Sequence, residues 1–226
     1  MTNTQGFLAV WCEMKPEDLA DYHNWLTQEH ISDRIYSPGF LGVRLFTAVD
    51  NECLHFFLYA TESPAVLGAP PYLKILNNPS PWTQRLMVRF GPFDRAAGER
   101  AVKIGRGFGS HVLVSRIHAD GDPVDAARLR DSLRPFIHLP DTIALRLFKT
   151  DSQTTAIKSN EKKMRIGGEG EFDYLLVVES LNEAGVQAAS QALEATLQSA
   201  VPGFQSCDSL IGKMIYGEMP YEYEAP

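Results

Sequence analysis

Two histidines, His23 and His30, stand in the segment DLADYHNWLTQEHISDR, and imidazole is the side chain whose proton moves most readily near neutral pH. At about 100° per residue, Leu19, Tyr22, His23, Leu26 and His30 share one stripe of a helix, while Asp21 and Thr27 lie off it. A histidine on a buried stripe must be neutral and hydrogen-bonded, or must sit at the rim of a cavity, because burying the cation is costly. His30 is near the helix end, where pockets open. It is therefore the candidate catalytic acid or base, with His23 as the group that orients or assists it. No metal is expected: positions i and i+7 are about 10 Å apart along a helix axis, and Glu29-His30 lacks the HExxH arrangement.

Arg44 and Arg146 occupy the same place in two similar heptapeptides, FLGVRLF at 40–46 and TIALRLF at 142–148. Strand alternation puts Leu41, Val43 and Leu45 on one face, and Phe40, Gly42, Arg44 and Phe46 on the other. The second copy repeats this, with Ile143, Leu145 and Leu147 against Ala144, Arg146 and Phe148. Two inward guanidiniums need either an internal acid, such as Glu62 or Glu179, or an anionic ligand. Arg44, Arg146, Phe46 and Trp82 are the candidate substrate-binding residues read from the strands and the entry to the fourth strand. Other chemistries lack their signatures. Cys12, Cys53 and Cys207 are odd in number with no C-x-x-C spacing, GRGFG at 105–109 lacks a strand-to-helix context, and there is no G-x-S-x-G or P-loop.

The elements that must position these residues repeat as well. Strands are expected at 6–13, 40–49, 53–62 and 84–91, with a helix from Pro16 to about Ile31 and a short one around Tyr72–Leu76. The second half reads as strands at 109–118, 142–150, 172–180 and 209–217, with helices at 123–137 and 181–199. FLYATES at 57–63 answers YLLVVES at 174–180. The order is βαββαβ twice, an α+β chain of two fused ferredoxin-like units, 1–98 and 99–226, whose antiparallel sheets pack face to face as an intrachain α+β barrel. The shared interior of that barrel is the expected pocket. A polar insert at 151–171 interrupts the second unit and reads as a mobile loop.

The run YHNWLTQEHISDRIYSPGF and then NNPSPWTQRL resembles the EthD-like branch of the dimeric α+β barrel superfamily over about residues 6–92. The second half keeps the strand pattern but has RLRDSLRPFIHLPDT, where His138 lacks the preceding glutamate. The resemblance implies His30 as the pocket residue, with Tyr22, His23, Trp25 and Arg44 close by. It also implies a range of activities that includes cofactor-independent monooxygenases, isomerases, lyases and haem-linked proteins. The expectation is an enzyme without a cofactor that uses histidine acid-base chemistry on a small aromatic or carboxylated compound. The alternatives are a non-catalytic ligand-binding or stress-type barrel, or a haem-binding one.

A net charge of −7 with no concentrated basic patch argues against nucleic acid. The stretch Lys158, Lys162, Lys163 and Arg165 reads as a solvated face. There is no apolar run of 18 residues to span a bilayer and no signal-peptide pattern. A cytoplasmic monomer or homodimer with a small-molecule partner is the expectation.

Overall fold

The computed structural model describes residues 4–120, 125–164 and 168–220. The first half contributes β1 (Gly6–Glu13), β2 (Phe40–Ala48), β3 (Leu54–Thr61) and β4 (Phe93–Gly105). The second contributes β5 (His111–Ala119), β6 (Thr142–Thr150), the two-residue β7 (Gly168–Glu169), β8 (Tyr174–Ser180) and β9 (Phe204–Glu218). Helical segments α1 (Leu19–Trp25), a π turn (Leu26–His30) and α2 (Ile31–Ile35) follow one another without a break. They are followed by α3 (Pro70–Asn77), α4 (Pro81–Met87), α5 (Ala126–Leu133), α6 (Ser152–Thr155), α7 (Asn160–Met164) and α8 (Glu183–Ala200).

Eight strands close into one antiparallel barrel in the order β1-β3-β2-β9-β5-β8-β6-β4, with β4 returning to β1; β7 lies parallel against β4 outside the ring. Each half supplies four neighbouring strands, β4-β1-β3-β2 and β9-β5-β8-β6. The seams between them are hydrogen-bonded, β2 to β9 and β6 to β4, so the sheets are joined at both edges as well as facing each other. The long strands β4 and β9 make this closure. β4 pairs with β1 over Phe93–Glu99 and with β6 over Gly98–Gly105, so the boundary at 98/99 falls inside a continuous strand.

Gly98 is the point of transfer, and a Cβ there would clash with the backbone oxygen of Lys149. Gly98→Ala is therefore expected to destabilise the fold by about 1–3 kcal/mol, the usual cost of overpacking, read as a lower urea midpoint. A midpoint equal to that of the parent protein would mean that the seam tolerates the methyl group.

Apolar side chains form three clusters. One lies between α1 to α4 and the outer face of the first-half strands, a second between α5, α8 and the second-half strands, and a third inside the barrel. The interior cluster holds Phe7, Trp11, Phe46, Phe56, Phe148 and Phe172, with ring centroids 4.7 Å apart for Phe7–Phe148 and 5.0 Å for Trp11–Phe56. Fully buried rings such as Phe7, Phe46 and Phe56 stabilise by about 1.5–3 kcal/mol each. This space is core, not a pocket, contrary to the expectation from alternation. The parity itself holds for Val43 and Leu45 against Arg44 and Phe46. It fails at Phe40, because a bulge between Phe40 and Gly42 leaves Leu41 exposed and turns Phe40 onto Tyr59 and Tyr72 in the helix-side cluster.

Two further differences concern the elements. Residues 84–91 do not form the fourth strand: Ser80 accepts a hydrogen bond from Thr83 N at 3.0 Å with Pro81 at the first helical position, which starts α4 instead. The insert is not loose. α6 and α7 pack on the first half, with Thr155 Oγ1 bonding both Ala97 N and Ala97 O. The start of the expected helix at 123, and Arg165, lie outside the described residues.

Candidate functional site

A cavity of about 60 Å³ opens between the α1–α2 run and the outer face of the first-half strands. Its floor is Leu8, Val10, Phe57 and Tyr59 on the strands, and its walls are Tyr22, Trp25, Leu26 and His30 on the helical run with Tyr72 and Leu76 on α3. Ile157, Ser159, Glu161 and Lys162 from the insert cover it. Asn160 pins that cover in place, donating from its backbone N to Asn77 Oδ1 at 3.1 Å and from Nδ2 to Asn77 O at 3.0 Å.

The π turn decides where His30 goes. In an α-helix residues i and i+5 point about 140° apart, whereas a π turn with i→i+5 bonding narrows that angle. Ile31 N donates to Leu26 O in this pattern. As a result the His30 ring lies over Trp25, with centroids 3.9 Å apart. Trp25 is fixed in turn by donating from Nε1 to Thr83 Oγ1 at 3.1 Å, and Thr83 donates to Glu29 Oε1 at 3.1 Å. Glu29 thus serves the α4 cap and not the imidazole beside it.

His30 Nδ1 is buried without a hydrogen-bond partner. Burial, and then the nearby charge of Arg34, push the imidazole well below its ordinary value of 6.5, so it is neutral. Arg34 donates from Nη1 to His30 O at 2.9 Å and from Nη2 to Glu161 Oε1 at 2.5 Å. Burial is the largest single influence and opposes the charge on Arg34, but Glu161, Tyr72 and Tyr59 together outweigh it and hold the guanidinium above its ordinary value. This ion pair latches the insert to α2.

A second residue with an unpartnered polar atom walls the same cavity. Arg95 on β4 donates from Nη1 to Thr155 O at 2.5 Å, while its Nη2 is buried and bonds to nothing. Such atoms are rare in folded proteins, and two in one apolar recess are what a ligand's polar atoms would satisfy.

Of the residues named from sequence, Tyr22, Trp25 and His30 meet at this cavity. His23 does not. It points to His55, with Nε2 to Nε2 at 3.0 Å, while His55 Nδ1 lies 3.1 Å from Cys53 O. A carbonyl only accepts, so Nδ1 of His55 carries the proton and its Nε2 accepts from His23 Nε2–H. His23 is therefore engaged away from His30 and cannot orient it. Trp82 sits on α4, where its Nε1 donates to Asp21 Oδ1 at 3.0 Å outside the cavity. Phe46 is in the barrel core, and Arg44 and Arg146 bind the fully buried Glu179, the internal acid, at one barrel end. Arg34, Tyr59, Tyr72, Arg95 and Glu161 were not anticipated. HISDR alone offered a signal, since it puts Arg34 one turn beyond His30.

The histidine pair gives a pH prediction. Burial lowers His55 from 6.5 to about 4. The unfolded chain then takes up a proton that the folded one refuses, so stability present above pH 6.5 is lost as pH falls from about 6.5 to about 4, by on the order of 3 kcal/mol. Urea unfolding of the parent and of His55→Phe across that window should show the slope flattened in the variant; equal slopes would place the acid sensitivity elsewhere.

No protein-family model matches the chain, and no curated protein matches it in sequence. Solved structures do. An anthrone oxidase-like protein aligns with TM-score 0.64 at 11% identity over 96% of this chain and 93% of that one. A putative monooxygenase from Fusobacterium nucleatum aligns with TM-score 0.61 at 9% identity over 97% and 96%. This chain has their fold. A mutant chlorite dismutase from Candidatus Nitrospira defluvii shares it at TM-score 0.56 and 11% identity, covering 96% of this chain and 93% of that one. Among the described residues no helix is long and apolar enough to cross a membrane, and no group of three His, Cys, Asp or Glu could hold a metal ion.

Proposed function

We propose that the protein is an enzyme that removes a proton from a small aromatic or phenolic acid at His30. The observation that carries this reading is the pair of buried, unpartnered atoms, His30 Nδ1 and Arg95 Nη2, on one aromatic-walled cavity. A neutral Nδ1 accepts the proton of an acidic C–H or O–H group; the electron pair stays on the substrate as an enolate or phenolate, and Arg95 Nη2–H donates to that oxygen. The imidazolium then returns its proton. Returned to a different carbon, the proton completes an isomerisation; given to a departing leaving group, a lyase reaction; given to the peroxide formed when the enolate passes an electron to molecular oxygen as co-substrate and the two radicals join, an oxygenation. The names of the anthrone oxidase-like and monooxygenase neighbours favour the last.

The identical strand order of the two halves, with the FLGVRLF and TIALRLF repeat, supports descent from a tandem duplication with units at 1–98 and 99–226. The helix-one segment supports an EthD-like origin. The cavity measures about 60 Å³, where about 150 Å³ takes benzene, so an aromatic ligand of any kind has to open it. A bulky substrate must displace Ile157 to Lys162, so the insert acts as a lid.

The test is exchange of the acidic methylene protons of anthrone, and of the ring protons of hydroxynaphthalenes, in D2O, followed by NMR with oxygen uptake recorded in parallel. Exchange above the buffer rate that His30→Ala abolishes supports the reading. Absence of exchange with every probe, or equal exchange by the variant, overturns it.

A further inference from the structure

A separate recess of about 330 Å³ lies at the end of the barrel marked by the start of β1 and the start of β2. Its charge is lopsided. Arg44, Arg100, Lys103 and Arg146 all line it, and among the described residues the one carboxylate bound to this group is Glu179, held by Arg44 Nη1 at 2.7 Å and by Arg146 Nη1. Four cations thus surround one anion, in a chain whose net charge is −7. The register sharpens the imbalance, since Lys103 on β4 is the direct partner of Arg146 on β6, and like charges placed opposite each other repel. Arg100 and Lys103 both stand below their ordinary values, through burial first and then through the Arg146 charge. Arg100 has a neutral partner, Gln5 Oε1.

The rim is apolar. Phe108 is half exposed and lies over two guanidiniums, 4.3 Å from Arg44 and 5.0 Å from Arg146 to the ring centroid, and Leu41 is also exposed beside it. An exposed ring held by two cations is a platform on which a flat or apolar body can rest.

We infer that this barrel mouth is a second binding site, distinct from the His30 cavity, for a small organic anion whose carboxylate or phosphate head is held by Arg100 and Lys103 while its apolar body lies on Phe108. Arg44 and Arg146 form the fixed floor that supplies field without moving, because Glu179 and the carbonyl of Gly107 hold them. The site requires nothing from His30 or Arg95, so its fate is independent of the reaction proposed above.

Calorimetric titration at low ionic strength with phenyl phosphate, phthalate and inorganic phosphate tests it. Saturable binding of phenyl phosphate or phthalate, tighter than inorganic phosphate, is expected, with at least tenfold weaker binding in Arg100→Gln/Lys103→Gln and unchanged binding in a surface control, Arg128→Gln/Arg130→Gln. Preference for phenyl phosphate over phthalate identifies a phosphorylated ligand, and the reverse a carboxylated one. Absence of saturable binding by either organic anion, equal affinity for inorganic phosphate, or full binding by the Arg100/Lys103 variant would each overturn the site. Phe108→Ala should weaken the organic anions and leave inorganic phosphate unaffected.

Discussion

Glu179→Ala is expected to destabilise the protein by about 3–5 kcal/mol, the range seen when one partner of a buried ion pair is removed. The carboxylate is fully buried and answers three donors at once: Arg44 Nη1, Arg146 Nη1 and the backbone N of Gly109 at 2.8 Å. Its loss leaves two guanidiniums, each under a tenth exposed, without the carboxylate they share. The charges and not the volume are the cause, so Arg44→Leu/Glu179→Leu/Arg146→Leu should regain most of the loss. Urea unfolding of both variants decides the matter. A single variant within about 1 kcal/mol of the parent would mean that the arginines find water or another acid, and a triple variant no better than the single one would assign the cost to packing.

His30→Ala should lower proton exchange from substrate by about 10²–10⁴-fold, the contribution typical of a positioned acid or base, with little change in the unfolding midpoint. The imidazole Nδ1 makes no hydrogen bond and the ring meets Trp25 in a tilted contact, so its removal breaks few polar contacts. The pH profile carries an independent check. A base must be neutral to act, and His30 stays neutral as pH falls through 6.5. Activity should therefore persist below pH 6.5 and fall only well under it, whereas an exposed histidine would lose half its activity near 6.5. A midpoint at 6.5 in the exchange rate would show that His30 is either solvated or not the base.

The strands around the candidate site were largely legible in the sequence because alternation is a local signal. β6 spans Thr142–Thr150 as the pattern of TIALRLF implies, and Arg44 and Phe46 do face the barrel interior. What alternation cannot reveal is whether the enclosed space is empty, because that depends on the summed volume of side chains from eight strands. Phe7, Trp11 and Phe172 fill it. The run QRLMVRF at 84–90 imitates a strand, and only Ser80-Pro81 ahead of it indicates a helix start. His30 was legible as a residue, but its contact with the Trp25 ring was not, since a wheel of constant pitch does not contain a π turn. Arg95 was invisible for another reason: the carbonyl that holds it belongs to Thr155, sixty positions away in a segment whose polar composition resembles loose loop.

The cover over the His30 recess is encoded more than a hundred positions after the helical run that carries the histidine. In a pair of identical subunits, any such flap would have to appear twice, once over each equivalent hollow. A single polypeptide escapes that equivalence: one half can keep its hollow while the other fills the corresponding layer with Leu129, Leu133, Val186 and Leu193 and donates the flap. Substitutions at Ile157 to Lys162 can then change what is admitted while the histidine and the arginine beneath stay as they are, so selectivity and chemistry can evolve on separate stretches of the gene.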